Sequence, residues 1–102
     1  MTDRTPLAPE AIEAFLATST LWSQQNDTLT ATLRLKDFKA ALSFMVAIGL
    51  EAEALDHHPE IHNIYNKLTL TLTTHDTGNR ITALDLALAR KIESIATRFT
   101  HA

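Results

Sequence analysis

The stretch Thr28-Leu29-Thr30-Ala31-Thr32-Leu33-Arg34-Leu35 alternates apolar and polar side chains without a break. Successive side chains of a strand point to opposite faces. Leu29, Ala31, Leu33 and Leu35 therefore define a buried face, and Thr28, Thr30, Thr32 and Arg34 the opposite one. The same period returns in Leu68, Leu70 and Leu72, set against Thr69, Thr71 and Thr73. Strands with one apolar face imply an antiparallel sheet with a helical layer over that face. Between the two strands, Phe38, Ala41, Leu42, Met45, Ile48, Ala52 and Leu55 recur at spacings of three and four. That spacing predicts a long amphipathic helix. Asp37 suits its N-cap, and Pro59 sets its far limit, because the residue before a proline avoids helical geometry.

Outward from this unit, Pro9 opens a first helix with Ile12, Phe15 and Leu16 on one face, ended by Ser19-Thr20. Trp22 starts a short extended segment, and Asn26-Asp27 makes a turn. Residues 61–66 read as a short strand and Asp76-Thr77-Gly78-Asn79 as a turn cluster. Thr82 with Asp85 three residues on resembles a capping box, with Asp in place of the usual Glu. The last helix carries Leu84, Leu88, Ile92, Ile95 and Phe99 on one stripe. Its basic residues Arg90, Lys91 and Arg98 lie where the helix dipole favours them. The predicted order is α-β-β-α-β-β-α. This is an α+β fold, a four-stranded antiparallel sheet with three helices packed on one face, in a single domain over residues 1–102.

Composition narrows the function. A chain of 102 residues is too short for two cores, and 45% hydrophobic with 21% charged residues is ordinary for a globular domain. The net charge is -3 and the nine Lys and Arg residues form no run. A phosphate backbone needs a basic face, so nucleic acid is not an expected partner. With no cysteine, disulfides and thiol catalysis are excluded. The first residues lack the basic-then-apolar order of a signal peptide, and no apolar run approaches a membrane span. A cytoplasmic location without membrane contact is expected. The poor surface-to-volume ratio of so small a domain favours self-association.

The chemistry lies in Asp56-His57-His58-Pro59-Glu60 and Thr74-His75-Asp76. Imidazole suits proton transfer near neutral pH, with an unperturbed pKa of about 6.5. His57 and His58 fall at the end of the long helix, where unpaired carbonyls favour a protonated ring, and Asp56 adds negative charge. A histidine held in this way can begin a cycle as a general acid. His75 follows the last strand, and a fold-back of that segment would bring it to the same helix end. Strict alternation would instead carry it to the Thr face unless a bulge or turn re-aims it. The structural alternative is that His57 and His58 cap a helix and His75 is a loop residue. His62 and His101 match no pattern and read as surface residues.

Zinc is the rival use of three histidines, but adjacent residues seldom ligate one metal, and neither HExxH nor cysteine is present. No Gly-x-Ser-x-Gly elbow occurs, and Gly49 and Gly78 make no phosphate loop. No metal is expected. Trp22 suits either a core anchor or a stacking wall for a flat heterocycle.

Lys36-Asp37-Phe38, Ala52-Glu53, His57-His58-Pro59-Glu60, Tyr65-Asn66-Lys67, Leu72-Thr73-Thr74-His75, and Thr82 with Asp85 before Leu86-Ala87 occur in this order. On these motifs the chain resembles the pterin-4a-carbinolamine dehydratases over residues 22–96. It departs from them at Ile61, where an aromatic residue is common, at Leu33 and Leu35 in a strand usually rich in aromatics, and at Ala31, where a basic residue is usual. The Gly78-Asn79-Arg80-Ile81-Thr82 turn is one residue longer than the family's. The resemblance implies dehydration of 4a-hydroxytetrahydrobiopterin to quinonoid dihydropterin without a metal or organic cofactor. It implies homodimers, often paired into homotetramers. The implied pathway is tetrahydrobiopterin recycling for an aromatic amino acid hydroxylase, with a molybdopterin-related pathway as the alternative. By resemblance, His57 and His75 do acid-base work and His58 binds and orients substrate. Asp56, Pro59, Thr74 and Asp85 would shape the pocket, with Trp22 flanking it. The rival is a non-catalytic protein of the same fold acting as a dimerisation partner or assembly factor.

Overall fold

In the computed structural model, residues 4–100 are described. The elements are α1 (Pro9–Thr18), β1 (Ser23–Gln25), β2 (Thr28–Arg34), α2 (Phe38–Leu55), β3 (Glu60–Ile64), β4 (Lys67–Leu72) and α3 (Ala83–Thr100). A 3₁₀ turn at His75–Thr77 separates β4 from α3. The α-β-β-α-β-β-α order and the α+β class agree with the periodicity.

The two alternating segments pair with each other at the centre of an antiparallel sheet of order β1-β2-β4-β3. Leu29 lies opposite Leu72, Ala31 opposite Leu70, and Leu33 opposite Leu68. These cross-strand pairs stack into one apolar face, the unit by which sheets are stabilised. Thr30 opposite Thr71 and Thr32 opposite Thr69 form the other face. Over the apolar side, α2 contributes buried Ala41, Phe44, Ile48 and Ala52, and α3 contributes Leu88, Ala89, Ile92, Ile95 and Ala96. Ile12 and Phe15 of α1 complete this core.

Asp37 caps α2 as its sequence position suggests, its Oδ1 accepting from the Ala40 N–H at 2.8 Å. The burial of α2 differs from the expected stripe. Phe38 and Leu42 are 47% and 48% exposed, whereas Phe44 is fully buried. Apolar residues occupy more than one stripe of this helix, so spacing alone leaves its rotation about the axis open. The larger ring decides it: Phe44 packs edge-on to Phe99, centroids 5.4 Å apart with an interplanar angle of 73°. Edge-to-face contact adds to the gain from burial. Trp22 anchors the core, its indole Nε1 donating to the Ala89 carbonyl at 3.1 Å. His62 is exposed on β3, and His101 lies outside the described residues.

Phe44→Ala removes the largest fully buried side chain. It should cost about 3–5 kcal/mol, read as a lowered urea midpoint. A cost near zero would show that this part of the core is not tightly packed.

Candidate active site

The site begins where α2 ends. Asp56 adopts a left-handed conformation, φ 53° and ψ 43°, and the His57 N–H bonds back to the Ala52 carbonyl at 3.0 Å. This closure turns the chain sharply and directs His57 inward toward α3. The His57 ring is buried, with Nε2 2.6 Å from Asp85 Oδ1. Asp85 is itself fully buried, in the first turn of α3. Its Oδ2 accepts from Thr74 Oγ1 at 2.8 Å and from the Thr82 N–H at 2.9 Å. The Thr74 and Thr82 hydroxyls lie 2.7 Å apart, and Thr82 Oγ1 accepts from the Leu84 N–H at 3.2 Å. The Thr82–Asp85 capping box is therefore present, and its carboxylate also holds a histidine. The helix N-terminus adds a favourable potential for that charge.

After β4 the alternation breaks, because Thr73 and Thr74 are both buried. The 3₁₀ turn follows, closed by Gly78 at φ 75° and Asn79 at φ 64°. The turn re-aims His75, so extrapolation along the strand does not give its direction. The His75 side chain is exposed, and its Nδ1 lies 2.6 Å from Asn79 Oδ1. His58 is also exposed, with Nε2 2.8 Å from Glu53 Oε1.

A cavity of about 160 Å³ is lined by Arg4, Asp56, His57, His58, Thr74, His75 and Asp76. Five of the expected site residues, Asp56, His57, His58, Thr74 and His75, thus meet at one place. Asp85 stands directly behind His57. Pro59 and Trp22 do not line the cavity. Asp76 and Asn79 read from the sequence as turn residues, and Arg4 carried no reading. Asp76 had a signal in its adjacency to His75, whereas Arg4 had none. A larger cavity of about 260 Å³ lies between α1 and α3. Among the described residues no histidine lines it; Ser19 Oγ donates to Glu93 Oε1 at 2.8 Å, and Arg90 lies over the Phe15 ring at 4.9 Å. Among the described residues no group of three or more His, Cys, Asp or Glu is arranged to hold a metal.

Hydrogen bonding distinguishes the two ring nitrogens of each histidine. A carboxylate only accepts, so His57 donates from Nε2 to Asp85, which leaves Nδ1 outside that bond on a ring that also lines the cavity. An amide oxygen also only accepts, so His75 donates from Nδ1 to Asn79 and keeps Nε2. His57 is thus backed by a negative charge and His75 by a neutral dipole. Two imidazoles with different backing therefore line one cavity of an α+β scaffold, an arrangement chemically capable of proton transfer.

Comparison with known proteins shows the family. The sequence profile described as "Pterin 4 alpha carbinolamine dehydratase" matches residues 5–95, and the chain belongs to that family. Two relatives bear the name "Putative pterin-4-alpha-carbinolamine dehydratase". The one from Opitutus terrae is 48% identical over 75 residues, covering 74% of this chain and 77% of the relative. The one from Solibacter usitatus is 42% identical over 92 residues, covering 90% and 96%. A crystal structure named as a transcriptional coactivator/pterin dehydratase from Brucella melitensis superposes with a TM-score of 0.85 at 37% identity, covering 90% of this chain and 99% of that one. A pterin dehydratase-like protein described as a RuBisCO assembly factor in the alpha-carboxysome has a TM-score of 0.62 at 18% identity, covering 74% and 89%. That last likeness concerns the fold alone.

Asp85→Ala would leave His57 Nε2, the Thr74 hydroxyl and the Thr82 N–H without their acceptor. The expected loss is roughly 3–5 kcal/mol, measured by equilibrium denaturation. A loss under about 1 kcal/mol would mean that the network contributes no more than a surface pair.

Proposed function

We propose that the cavity binds a 4a-hydroxytetrahydropterin and that its histidines catalyse loss of water to give the quinonoid dihydropterin. The observation that carries this reading is the unequal backing of His57 and His75 on one cavity. Protonated His57 donates from Nδ1 to the departing 4a-hydroxyl, and Asp85 compensates the positive charge on the ring beforehand. The N5 lone pair forms the C4a–N5 double bond as the C4a–O bond breaks, and water leaves. Neutral His75 takes the N5 proton at Nε2. The protons balance, since one is donated and one is taken up, and exchange with solvent resets the pair. His58, steadied by Glu53, orients the substrate, with Asp56 and Thr74 beside it. Fixing both groups against the ring replaces solvent encounters with set geometry. The step requires no metal or organic cofactor. The setting we assign is tetrahydrobiopterin recycling in the cytoplasm, serving an aromatic amino acid hydroxylase.

A second reading has a specific observation behind it. Phe38, Leu42, Val46 and Leu50 of α2 are 47–68% exposed, an apolar stripe of the kind that marks an interaction surface. Self-association into a homodimer or homotetramer would cover it. A non-catalytic role as a dimerisation partner or assembly factor would use the same stripe and leave the histidines idle.

The deciding experiment follows dehydration of a 4a-hydroxytetrahydropterin generated in situ. The wild-type chain should accelerate it, and His75→Ala should remove about 100-fold or more of the acceleration. His75 is exposed, so the melting temperature should hold. A chelator should leave the rate unchanged. A folded wild-type chain that gives no acceleration rules out the catalytic reading in favour of the second.

A further inference from the structure

Building on the pterin-binding reading, we infer that Arg4 is a substrate-binding residue and that residues 4–7 form a strap holding it at the cavity. The strap is tied to the loop that carries the site. The Leu7 N–H donates to the Ile81 carbonyl at 2.9 Å, and Pro6 pairs with Thr82 in an isolated antiparallel bridge. Thr82 is the residue whose N–H and hydroxyl complete the Asp85 network. The strap is thereby anchored to the same backbone that fixes His57.

Upstream of that anchor, Arg4 reaches the cavity wall, with Nε 3.3 Å from Asp76 Oδ2. The contact is one of charge without hydrogen-bond alignment, and Nε is buried with no hydrogen-bond partner among the described residues. The side chains of the pair are 32% and 72% exposed, so solvent screens it and it does little for the stability of the fold. Nε is enclosed against Asp76, so the donors left for a ligand in the cavity are the terminal guanidinium nitrogens. Among the described residues, Arg4 is the one Lys or Arg side chain lining the cavity.

The chemistry of the heterocycle supplies an acceptor. The carbonyl at C4 is bonded to C4a, the reacting carbon, so a donor on that oxygen sits beside the scissile bond. A guanidinium offers only donors, in a planar fork, and stays charged at every working pH. Arg4 therefore serves binding and register, and takes no part in proton transfer. Its contribution is the same before and after water departs, because the carbonyl persists in the product. Uniform binding of that kind changes KM and not kcat.

The test uses the full chain and two readouts: steady-state dehydration, and equilibrium binding of a stable 7,8-dihydropterin followed by fluorescence. Arg4→Ala should weaken binding and raise KM by about 10-fold, with kcat within about 2-fold and the melting temperature unchanged. Arg4→Lys keeps the charge without the fork and should recover only part of the loss. Wild-type Kd and KM in Arg4→Ala overturn the inference and leave the dehydratase reading standing. A lower kcat at unchanged KM and Kd also overturns it, since Arg4 would then act by positioning His75. A wild-type chain that binds the dihydropterin without dehydrating the carbinolamine sinks the catalytic reading, and Arg4→Ala still tests the inference by Kd. A wild-type chain that neither binds the dihydropterin nor dehydrates the carbinolamine overturns both.

Discussion

The rest of the site depends on one buried carboxylate. Asp85 is fully buried, and a charge in that position is tolerated only when every lone pair that matters has a donor. Here the donors come from different stretches of chain: His57 beyond the end of α2, Thr74 beyond the end of β4, and Thr82 at the start of α3. Moving any of the three away leaves the carboxylate under-paired. The cost of that misfit fixes the relative placement of the helix ends and the strand exit. The His57 bond also fixes which ring nitrogen is left outside it. The bonds that satisfy the buried carboxylate also set the orientation of the His57 ring, so a small domain can hold a site steady with few residues.

The parts of this structure legible in the sequence are those whose signal is local. The alternation of residues 28–35 and of Leu68, Leu70 and Leu72 names a face directly, because a period of two leaves no freedom of rotation. The caps at Asp37 and at Thr82 with Asp85 are read from spacings of three residues. The rotation of α2 was not legible in this way. Its apolar residues support more than one stripe, and the choice of Phe44 over Leu42 depends on Phe99 far along the chain.

The site shows the same division. His57, His58 and His75 stand out as residue types, but their meeting depends on two left-handed closures, at Asp56 and at Gly78-Asn79. A non-glycine residue in that conformation is uncommon, and its occurrence at Asp56 is set by the helix end and not announced by composition. Trp22 shows a different limit. An indole suits a heterocycle wall and a core equally well in isolation, and only its bond to the Ala89 carbonyl places it in the core. Arg4 is separated from Asp76 by most of the chain, so no spacing rule brings the two together.

α2 carries two features that the family fold can vary separately. Its exposed stripe, Phe38, Leu42, Val46 and Leu50, shares no residue with the cavity, which begins at Asp56 beyond the helix end. A chain could lose its histidines and keep the stripe, or cover the stripe differently and keep the chemistry. Fold likeness therefore carries no weight in choosing between enzyme and assembly partner. The choice rests on the identity of residues 57, 58, 75 and 85. A purely structural role would favour replacing a buried imidazole–carboxylate pair with apolar side chains, which is often neutral or stabilising. Here the buried pair is present and its imidazole also lines an open cavity, which is the arrangement the proposed proton transfer requires.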